Sequence, residues 1–475
     1  MRQIGAKTFH DEDQQHFAQL SHDFNPMHVD RVAARRLIAG HQVVHGIHLL
    51  LAAIEFWQQQ AMQPLSRIAC SFKSPVEVGE PVLFVEFVEP DNTSTINVTM
   101  HGLLCASISL GKLVGRPEVR PLLPGPDADT VLLELRTYAL DQVPETHIGK
   151  HYALAVDGDP LASIFPYAYR CLGAQALAST VALSYMVGMV CPGLHSVFSS
   201  LSLDIPAQTG SGALLRFFVQ KYDPRFRLFD IRVRGGIEGD IKAFLRAPPQ
   251  AQASVLELAD HVSPDEFKGS RSLVVGGSRG LGEVTAKLLA VGGGEVLITY
   301  AHGLQDALTI AHDINSQNPD RCAVQKLDMA TDSFEALPVD WNTLDAIYYF
   351  ATPKIFRKKA GVFEPAMFAE FCTLYVMRFY ALCAFIENTR SSGKIRIYFP
   401  STVAVSERPK GMAEYAMAKG AAEILVQEIN RSFSRVQILS TQLPRLATDQ
   451  TATILKVAAA SNVATLLPLI RSMQV

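Results

Sequence analysis

Residues 20–28 read LSHDFNPMH and residues 43–46 read VVHG, and these two segments carry the strongest signal in the sequence. A carboxylate at Asp23 and an imidazole at His28 lie five residues apart, with a turn-forming Asn-Pro pair between them, so both can face one water molecule across a bent loop. Asp23 can orient or deprotonate that water while His28 exchanges a proton with the neighbouring carbon. A free N–H at Gly46 can hold a developing thioester enolate. The pattern indicates β-elimination of water from a 3-hydroxyacyl thioester, or the reverse addition.

These segments resemble the motif of the MaoC-like dehydratases, also called (R)-specific enoyl-CoA hydratases, which have a hot-dog fold. The resemblance covers residues 1–115, and it implies that Asp23 and His28 are the catalytic pair. It also implies that the Gly46 amide is the oxyanion donor at the start of a long central helix. His22 stands where the family usually has glycine. Taken singly, Asp23 fits a helix cap and His28 fits a surface histidine, but their joint spacing with the later His-Gly pair favours catalysis.

Length and charge limit the possible architectures and partners. A chain of 475 residues is too long for one hydrophobic core, and a prior of about 150 residues per domain predicts three units. The formal net charge is -3 and the pI is near 6.5, so we expect no nucleic-acid partner. The N-terminal residues lack the apolar run of a secretory signal. No apolar stretch approaches the roughly 18 residues of a membrane span, so we expect a soluble, cytoplasmic protein without a membrane partner.

The cysteines and histidines show no metal-binding pattern. The cysteines include no Cys-x-x-Cys pair and no neighbouring histidine at metal-ligand spacing, so we expect buried thiols in a reducing compartment. Many histidines fall between His10 and His48, but no helix-borne His-x-x-x-His arrangement stands out, and we predict no metal site. The cysteines are residues 70, 105, 171, 191, 322, 372 and 383.

The pattern of the first unit recurs after a proline-rich connector at residues 116–128. Residues 71–79 align without gaps on residues 202–210, and both segments contain a Pro-x-x-x-Gly corner before an apolar strand. A long apolar helix predicted at residues 172–189 matches the one predicted at residues 47–60, and helices that are apolar on nearly all sides are buried. The sequence therefore predicts a second hot-dog repeat.

We expect the catalytic repeat to span residues 1–115 and a degenerate repeat to span residues 128–248, together forming an α+β double hot dog. The second repeat lacks both Asp-x-Asn-Pro-x-His and Val-His-Gly, so its predicted role is to complete the sheet and the substrate tunnel. His195 is the one residue there that suggests catalysis. The alternative is a turn histidine packed at the end of the helix.

A different architecture follows a linker at residues 249–269. The apolar strand Ser272–Val275 runs into the glycine-rich turn Gly276–Gly282, and residues 283–290 read as a helix. Glycines let a backbone approach a pyrophosphate, and the helix N-terminus offers unpaired N–H groups with a partial positive charge. Later strands alternate with helical patterns, which predicts an α/β doubly wound parallel sheet of Rossmann type over residues 270–475. We expect these strands at residues 295–299, 323–327, 346–350, 394–400 and 436–442.

Tyr415 and Lys419 lie four residues apart, on the same face of a predicted helix. An ammonium beside a phenol lowers the phenol's pKa from about 10 toward neutrality. With Ser401 and the glycine turn, these residues resemble the short-chain dehydrogenases/reductases, most closely the 3-oxoacyl thioester reductases. The resemblance implies that Ser401 polarises the carbonyl, Tyr415 protonates it, and Lys419 tunes Tyr415 and holds the nicotinamide ribose. It implies cofactor contacts from Gly276, Ser278, Arg279, Gly280, Leu281, Gly282, Tyr300, Asp328, Ala351, Tyr415 and Lys419.

The expected cofactor is NADP(H). Members that are specific for NAD place an acidic residue after the second strand, whereas residues 298–302 read ITYAH. Arg279 adds a positive charge that suits the extra phosphate.

Two departures weaken the match to the reductases: residues 349–352 read YFAT in place of Asn-Asn-Ala-Gly, and residues 371–385 lack the family's catalytic asparagine. The proton relay behind Lys419 is then built differently, or turnover is slow.

The two expected chemistries are consecutive. We therefore expect a bifunctional ketoreductase–dehydratase that converts 3-oxoacyl thioesters through (3R)-hydroxyacyl to 2-enoyl thioesters, in fatty-acid or polyketide biosynthesis. The substrate would be bound to acyl carrier protein or CoA, and the reductase resemblance implies a homo-oligomer, a dimer or tetramer. One alternative is a dehydratase beside a non-catalytic or slow reductase-like scaffold domain. The other is a degradative enoyl-CoA hydratase–3-hydroxyacyl dehydrogenase, against which a preference for NADP(H) argues.

Overall fold

The chain divides after Pro248 into two compact units. The computed structural model describes residues 1–37, 39–61, 64–89, 93–112, 130–206, 214–357, 359–451 and 457–474. The predicted connector at residues 116–128 lies outside the described residues, and so does the Gly210 end of the second predicted corner.

The first unit contains one sheet, whose described part has eleven strands. Neighbouring strands are antiparallel, except for the short pair at one edge, β6 and β7. The bounds are β1 Arg2–Thr8, β2 Leu65–Phe72, β3 Pro81–Val88, β4 Ser94–Met100, β5 Leu103–Lys112, β6 Val131–Leu132, β7 His151–Ala155, β8 Ser196–Asp204, β9 Leu214–Asp223, β10 Leu228–Arg234 and β11 Glu238–Leu245.

The strand order is the same when it is followed outward from the centre in either direction. Strands β2 and β8 pair at the centre, where Cys70 lies opposite Leu201. On one side follow β5, β4, β3 and β1, and on the other side follow β11, β10, β9 and β7. The two halves thus repeat one strand order about the antiparallel β2–β8 pair, as a two-fold rotation would relate them.

Two long helices lie next to each other in the first unit. The second contains a break at Gly173 (φ 76), and it continues as a π-helix over Met186–Val190. The first has apolar residues on nearly all sides, and its Glu55 accepts the Ala168 N–H at 2.6 Å, at the start of the second. The prediction for residues 172–189 therefore missed the earlier turns and the break. The helices are α1 Asp11–Ser21, α2 Pro26–Val29, α3 Arg31–Ala34, α4 Gly46–Ala61 and α5 Pro166–Tyr185.

The second unit contains a parallel sheet whose described part has six strands. If the strands are numbered along the chain, their order across the sheet is 3-2-1-4-5-6, which is the doubly wound arrangement. Alternate residues of the first strand enter two different apolar cores, because Leu273 belongs to one and Val274 to the other. The strands are β12 Arg271–Val275, β13 Glu295–Tyr300, β14 Cys322–Lys326, β15 Ala346–Tyr349, β16 Ile395–Thr402 and β17 Val436–Leu443.

Helices cover both faces of this parallel sheet, as its fully buried strands require. A π-helix at Thr373–Arg378 separates two of them. The α-helices are α6 Val255–Leu258, α7 Gly280–Val291, α8 Leu304–Gln317, α9 Pro365–Cys372, α10 Phe379–Thr389, α11 Ala404–Glu407, α12 Ala413–Ser432 and α13 Asn462–Ser472.

Two helical stretches among the described residues are long and apolar enough to pass a membrane-span test of length and composition. They are Pro166–Val190 and Pro365–Thr389, so the expectation that no such stretch exists is corrected. In the first, 78% of the apolar window is buried inside the unit. A buried core helix passes the same test, so neither stretch by itself indicates a membrane.

Candidate active sites

The loop that carries Asp23 is held by its own side chains. His22 ends helix α1 with φ 56, in the left-handed region that favours glycine. The Asn25 side chain accepts the Met27 N–H at 3.2 Å and caps α2, and Pro26 occupies the first helical position. The loop therefore turns back on itself between the acid and the base.

Asp23 and His28 are both buried and lie close together. A carboxylate oxygen of Asp23 and a ring nitrogen of His28 are within 4.8 Å of each other, a gap suited to a bridging hydroxyl or water. The Nδ1 of His28 lies 2.8 Å from the Val43 carbonyl, which can only accept. Nδ1 therefore carries a hydrogen, and Nε2 is the nitrogen available to exchange a proton.

Burial sets the pKa values of this pair. It raises the pKa of Asp23, while the neighbouring His28 and the hydrogen bonds that Asp23 accepts act in the opposite direction. It lowers the pKa of His28, against the attraction of Asp23. A raised pKa keeps the Asp23 carboxyl protonated, so that it can act as an acid. A lowered pKa keeps the His28 imidazole neutral, so that it can act as a base.

His45 supports the pair from behind. Its ring stacks on His28 with 3.9 Å between centroids. Its Nε2 lies 3.0 Å from the Asp23 carbonyl oxygen, and its Nδ1 lies 2.9 Å from Gln14 Oε1. Asp23, His28 and His45 are close enough to surround a cation, but both ring nitrogens of His45 already face protein oxygens. The arrangement therefore serves to position the pair.

The second half of the sheet supplies two groups that the sequence analysis missed. Ser184 of α5 donates a hydrogen bond from Oγ to Asp23 Oδ2 at 2.6 Å. A Cβ at Gly188 would lie 2.4 Å from Asp23 Oδ1, so only glycine leaves room for the carboxylate. Asn25 Nδ2 donates to the Gly188 carbonyl at 2.8 Å. The only sequence signal was small residues within an apolar helix, so the active loop depends on residues of the half that lacks the motif.

Gly46 and His195 both lie at the ends of helical segments. Gly46 is the first residue of α4, where an N–H has no acceptor within the helix. The Phe72 ring lies 3.1 Å from the position that a Cβ on Gly46 would take. His195 ends a short 3₁₀ turn, and its Nε2 lies 3.6 Å from Asp141 Oδ1.

The glycine turn of the second unit forms a tight cradle at the start of α7. Gly276 (φ 79) and Gly280 (φ 59) both have left-handed backbones. A Cβ at Gly282 would lie 2.3 Å from the Gly276 carbonyl oxygen, so the helix start and the strand end can touch only because Gly282 has no side chain. The first N–H groups of α7 are then presented beside a bare backbone, a geometry that accommodates a pyrophosphate.

The other predicted cofactor residues lie at the carboxyl ends of the strands. Tyr300 ends β13, Asp328 follows β14 and Ala351 follows β15. Asp328 Oδ1 accepts the Ala330 N–H at 2.9 Å, which fixes the turn there. In the glycine turn, Ser278 is buried, Arg279 immediately precedes α7, and Leu281 lies in its first turn.

The predicted catalytic hydroxyl, Ser401, is engaged by another side chain. Ser401 Oγ donates to the Glu423 carboxylate on α12, so it does not face Tyr415. The hydroxyl of the next residue, Thr402, acts on Tyr415 instead, since it lowers the pKa of that phenol against the effect of burial. Adjacent residues of a strand point to opposite faces, so only one of the two hydroxyls can reach the tyrosine.

Tyr415 and Lys419 differ from the expected arrangement. Lys419 Nζ donates to the Pro400 carbonyl at 2.6 Å and lies 3.9 Å from the centre of the Tyr375 ring. Burial lowers the pKa of Lys419 to about 7, against the Glu423 carboxylate. Burial also raises the pKa of Tyr415 to about 12, so the predicted lowering of the phenol's pKa by Lys419 is not observed.

Tyr375 lies in the π-helix Thr373–Arg378, within the segment where the asparagine is missing. Its hydroxyl hydrogen-bonds the Thr352 hydroxyl, and its ring packs against Tyr415 with 6.0 Å between centroids. An aromatic ring thus covers the ammonium of Lys419 on the side facing this helix.

Comparison with known proteins gives distant structural neighbours and one family match. No curated protein matches the sequence. Solved structures similar to part of the chain include the oxidoreductase yciK from E. coli (17% identity, 45% of this chain and 91% of that chain, TM-score 0.38). Another is a short chain dehydrogenase/reductase family protein (24%, 39% and 78%, 0.35). A third is the angucycline C-6 ketoreductase LanV with bound NADP (21%, 38% and 75%, 0.33).

These structural likenesses are too distant to carry an argument about activity. The family match concerns the first unit, where residues 2–103 match the family model described as the MaoC like domain. That range includes Asp23, His28 and Gly46, and it indicates a hot-dog fold for this part of the chain.

Proposed function

We propose that the chain is a bifunctional enzyme of acyl thioester metabolism. The second unit reduces a 3-oxoacyl thioester with NADPH, and the first unit removes water from the (3R)-hydroxyacyl product to give a 2-enoyl thioester. The substrate is carried by acyl carrier protein or CoA, in fatty-acid or polyketide biosynthesis in the cytoplasm. The observation that carries the proposal is the buried pair of Asp23 and His28, within 4.8 Å of each other.

In the proposed dehydration, His28 Nε2 takes the proton from the second carbon of the acyl chain. Asp23 gives a proton to the hydroxyl on the third carbon, which leaves as water while the carbon–carbon double bond forms. A raised pKa of Asp23 favours the protonated carboxyl that this step needs. The N–H of Gly46, which has no acceptor within α4, stabilises the enolate oxygen.

In support of this role for the first unit, we propose that its sheet of two repeated halves is a double hot dog. The half with the motif supplies the acid and the base. The other half, which we assign to residues 128–248, supplies Ser184 to hold Asp23 and completes the tunnel for the acyl chain.

In the proposed reduction, the glycine turn at the start of α7 would hold NADPH, which would supply the hydride for the carbonyl carbon of the substrate. Tyr415 donates its proton to the carbonyl oxygen, and Thr402 holds that oxygen and the phenol in line. Lys419, four residues along α12, supplies positive charge behind the phenol. The pyrophosphate fits the cradle formed by Gly276, Gly280 and Gly282.

A preference for NADP(H) is part of this proposal. The end of β13 offers no acidic residue to the ribose hydroxyls, and Arg279 places a cation at the start of α7. This preference also argues against the degradative direction, in which an alcohol would be oxidised.

One observation favours a second candidate, a dehydratase whose second unit is a slow or non-catalytic scaffold. The Tyr375 ring lies over Lys419, in the helix where the family has asparagine. Burial raises the pKa of Tyr415 and lowers the pKa of Lys419, each away from its ordinary value. Proton supply to the phenol would then limit the reduction.

Adding a 3-oxoacyl-CoA and NADPH to the purified protein tests these candidates. We expect NADPH oxidation followed by appearance of the 2-enoyl thioester, both measured by absorbance. If NADPH is not consumed but added 3-hydroxyacyl-CoA is dehydrated, the scaffold candidate replaces the bifunctional one. If reduction stops at the 3-hydroxy product, the dehydratase assignment is wrong.

We also propose that the protein is a homo-oligomer, a dimer or tetramer, that pairs through the long helices of the second unit. Large apolar side chains are exposed there, and burying them in a second copy is favourable. They are Met377, Tyr380, Met417 and Ile424. Light scattering on the Ile424→Glu variant should give a smaller mass than the unmodified protein, and an unchanged mass would contradict this interface.

A further inference from the structure

Arg246 is a fully buried arginine with unused hydrogen-bonding capacity. It follows β11, and its side chain is among the largest in the molecule that are fully buried, with 1% exposure. Its Nη2 donates to the Leu194 carbonyl oxygen at 2.6 Å. Within the described residues, Nε and Nη1 are buried and have no partner. Those two nitrogens carry three of the five N–H groups of a guanidinium.

Arg246 lies beside the loop that carries the proposed acid and base. The Leu194 carbonyl oxygen that it contacts also accepts from Asn25 Nδ2 at 3.3 Å. Asn25 lies between Asp23 and His28 in that loop, so the guanidinium and the catalytic loop share one acceptor atom. The charge of Arg246 also reaches the imidazole, since it lowers the pKa of His28.

Arg246 has both basic and acidic neighbours. His195 and Arg227 lie near it, and Arg227 Nη2 donates to the Arg246 carbonyl oxygen at 3.3 Å. The acidic neighbour is Asp141, whose side chain is 66% exposed. Asp141 lies 3.6 Å from His195, and it affects Arg246 by charge attraction and not by a hydrogen bond. A buried guanidinium without a direct anionic partner is costly, so this place in the fold suits an anion supplied by a ligand.

We propose that Arg246 binds a carboxylate on the acyl chain of the thioester substrate, so that the dehydratase acts on acyl groups with a second acidic end. This inference rests on the proposed dehydratase function. The acyl chain is the part of the substrate that must lie beside Asp23 and His28, because water leaves from its second and third carbons. A carboxylate matches the planar fork of a guanidinium with two parallel hydrogen bonds.

The test with the unmodified protein compares two substrates that differ only in charge. Hydration of glutaconyl-CoA and of 2-hexenedioyl-CoA is measured beside hydration of their terminal methyl esters. We expect kcat/KM to be at least about tenfold higher for the acid than for the ester of one or both chains, the effect of hydrogen bonds to a charged group. Equal or faster hydration of both esters overturns the proposal. If the acids, the esters and crotonyl-CoA are all left unhydrated, the dehydratase function itself has failed.

Variants locate the effect at Arg246. Arg246→Gln should lower kcat/KM for the acid by about 10- to 100-fold, with a much smaller change for crotonyl-CoA, and Arg246→Lys should lie between. Arg232→Gln is the matched control, since that arginine of β10 already faces Asp240 at 3.4 Å. Loss of acid and crotonyl hydration by the same factor in folded Arg246→Gln overturns the proposal. If that variant does not fold, the comparison of acid and ester in the unmodified protein decides.

Discussion

Single side chains decide which groups of this protein can react, and the clearest case is a pair of neighbouring hydroxyls. Ser401 and Thr402 follow each other at the end of β16, but Ser401 is bound to Glu423, whereas Thr402 lowers the pKa of the Tyr415 phenol. The sequence contains both hydroxyls, and the choice between them depends on which face of the strand meets α12.

The hydroxyl assignment predicts opposite results for two substitutions. Thr402→Val should lower the rate of NADPH oxidation with a 3-oxoacyl-CoA by about 100-fold, the usual effect of losing one polarising donor. Ser401→Ala should keep most of the rate while lowering the free energy of unfolding by about 1 kcal/mol, because the half-buried Glu423 carboxylate loses one of its donors. A larger loss of rate in Ser401→Ala than in Thr402→Val would restore the original prediction.

The contact between Ser184 and Asp23 predicts a change in pH dependence. Ser184→Ala should lower kcat/KM for enoyl-CoA hydration by about 10- to 100-fold, since a hydrogen bond to a charged group is lost. In hydration Asp23 must be ionised, so activity falls as the pH drops through its pKa. Removing a donor to the carboxylate raises that pKa, so the fall should begin at a higher pH.

Thr180→Val is the matched control for this measurement, because Thr180 donates only within α5, to the Ala176 carbonyl. Its pH profile should match that of the unmodified protein. A profile of Ser184→Ala that also stays in place would show that the serine does not hold the carboxylate.

Lys419 predicts a pH limit for the reductase. Its pKa of about 7 means that the amine is charged below this pH and neutral above it, so NADPH oxidation should decline as the pH rises past about 7. The Glu423 carboxylate raises this pKa, so Glu423→Gln should move the decline to lower pH. A reductase rate that is flat from about pH 6 to pH 9 in both proteins would contradict the role given to Lys419.

At the scale of elements, the glycine turn and the two long helices fix the geometry of the sites. The apolar pattern of residues 47–60 predicted the helix that the structure has at Gly46–Ala61, because a helix surrounded by core needs no polar face. The six strands of the second unit were predicted within a few residues, since buried parallel strands are continuous apolar runs.

The contacts between elements could not be predicted in the same way. Ser184 and Gly188 meet the loop of Asp23 across more than 160 residues of chain, and nothing local to either segment specifies that meeting. The break at Gly173 was missed because the residues on both sides of it favour a helix. The sequence gives no signal for the burial of Arg246, because most arginines that follow a strand are exposed.

The tight start of α7 predicts that cofactor binding is lost when a methyl group is added at Gly282. In Gly282→Ala the new Cβ would lie 2.3 Å from the Gly276 carbonyl oxygen. Relief of this overlap requires a shift of the backbone, which costs more free energy than a side-chain rotation. NADPH titration followed by fluorescence should show an affinity at least about tenfold weaker, which corresponds to about 1.4 kcal/mol.

Gly420→Ala is the control for the glycine turn, since its Cβ would meet Val405 at an ordinary 3.7 Å. That variant should bind NADPH normally and gain up to about 1 kcal/mol in free energy of unfolding, as expected for alanine within a helix. Normal NADPH affinity in Gly282→Ala would show that the turn does not hold the pyrophosphate.

At the scale of the whole molecule, the two proposed activities belong to separate compact units, each with its own apolar core. The Asp23→Asn variant should therefore form no 2-enoyl product while it still oxidises NADPH with a 3-oxoacyl-CoA. Tyr415→Phe should oxidise no NADPH while it still dehydrates added 3-hydroxyacyl-CoA. Loss of both activities from either substitution would contradict this separation, provided that thermal unfolding shows a folded protein.

The two halves of the sheet in the first unit share a strand order, but they are not interchangeable around Asp23. Helix α4 contains no serine or threonine and no glycine beyond Gly46, so the motif-bearing half has no counterpart of Ser184 or Gly188. Two copies of that half alone would therefore lack the hydroxyl and the glycine that Asp23 contacts in this chain. Covalent linkage keeps two unlike partners in a fixed one-to-one ratio, so each half is relieved of the need to recognise a copy of itself.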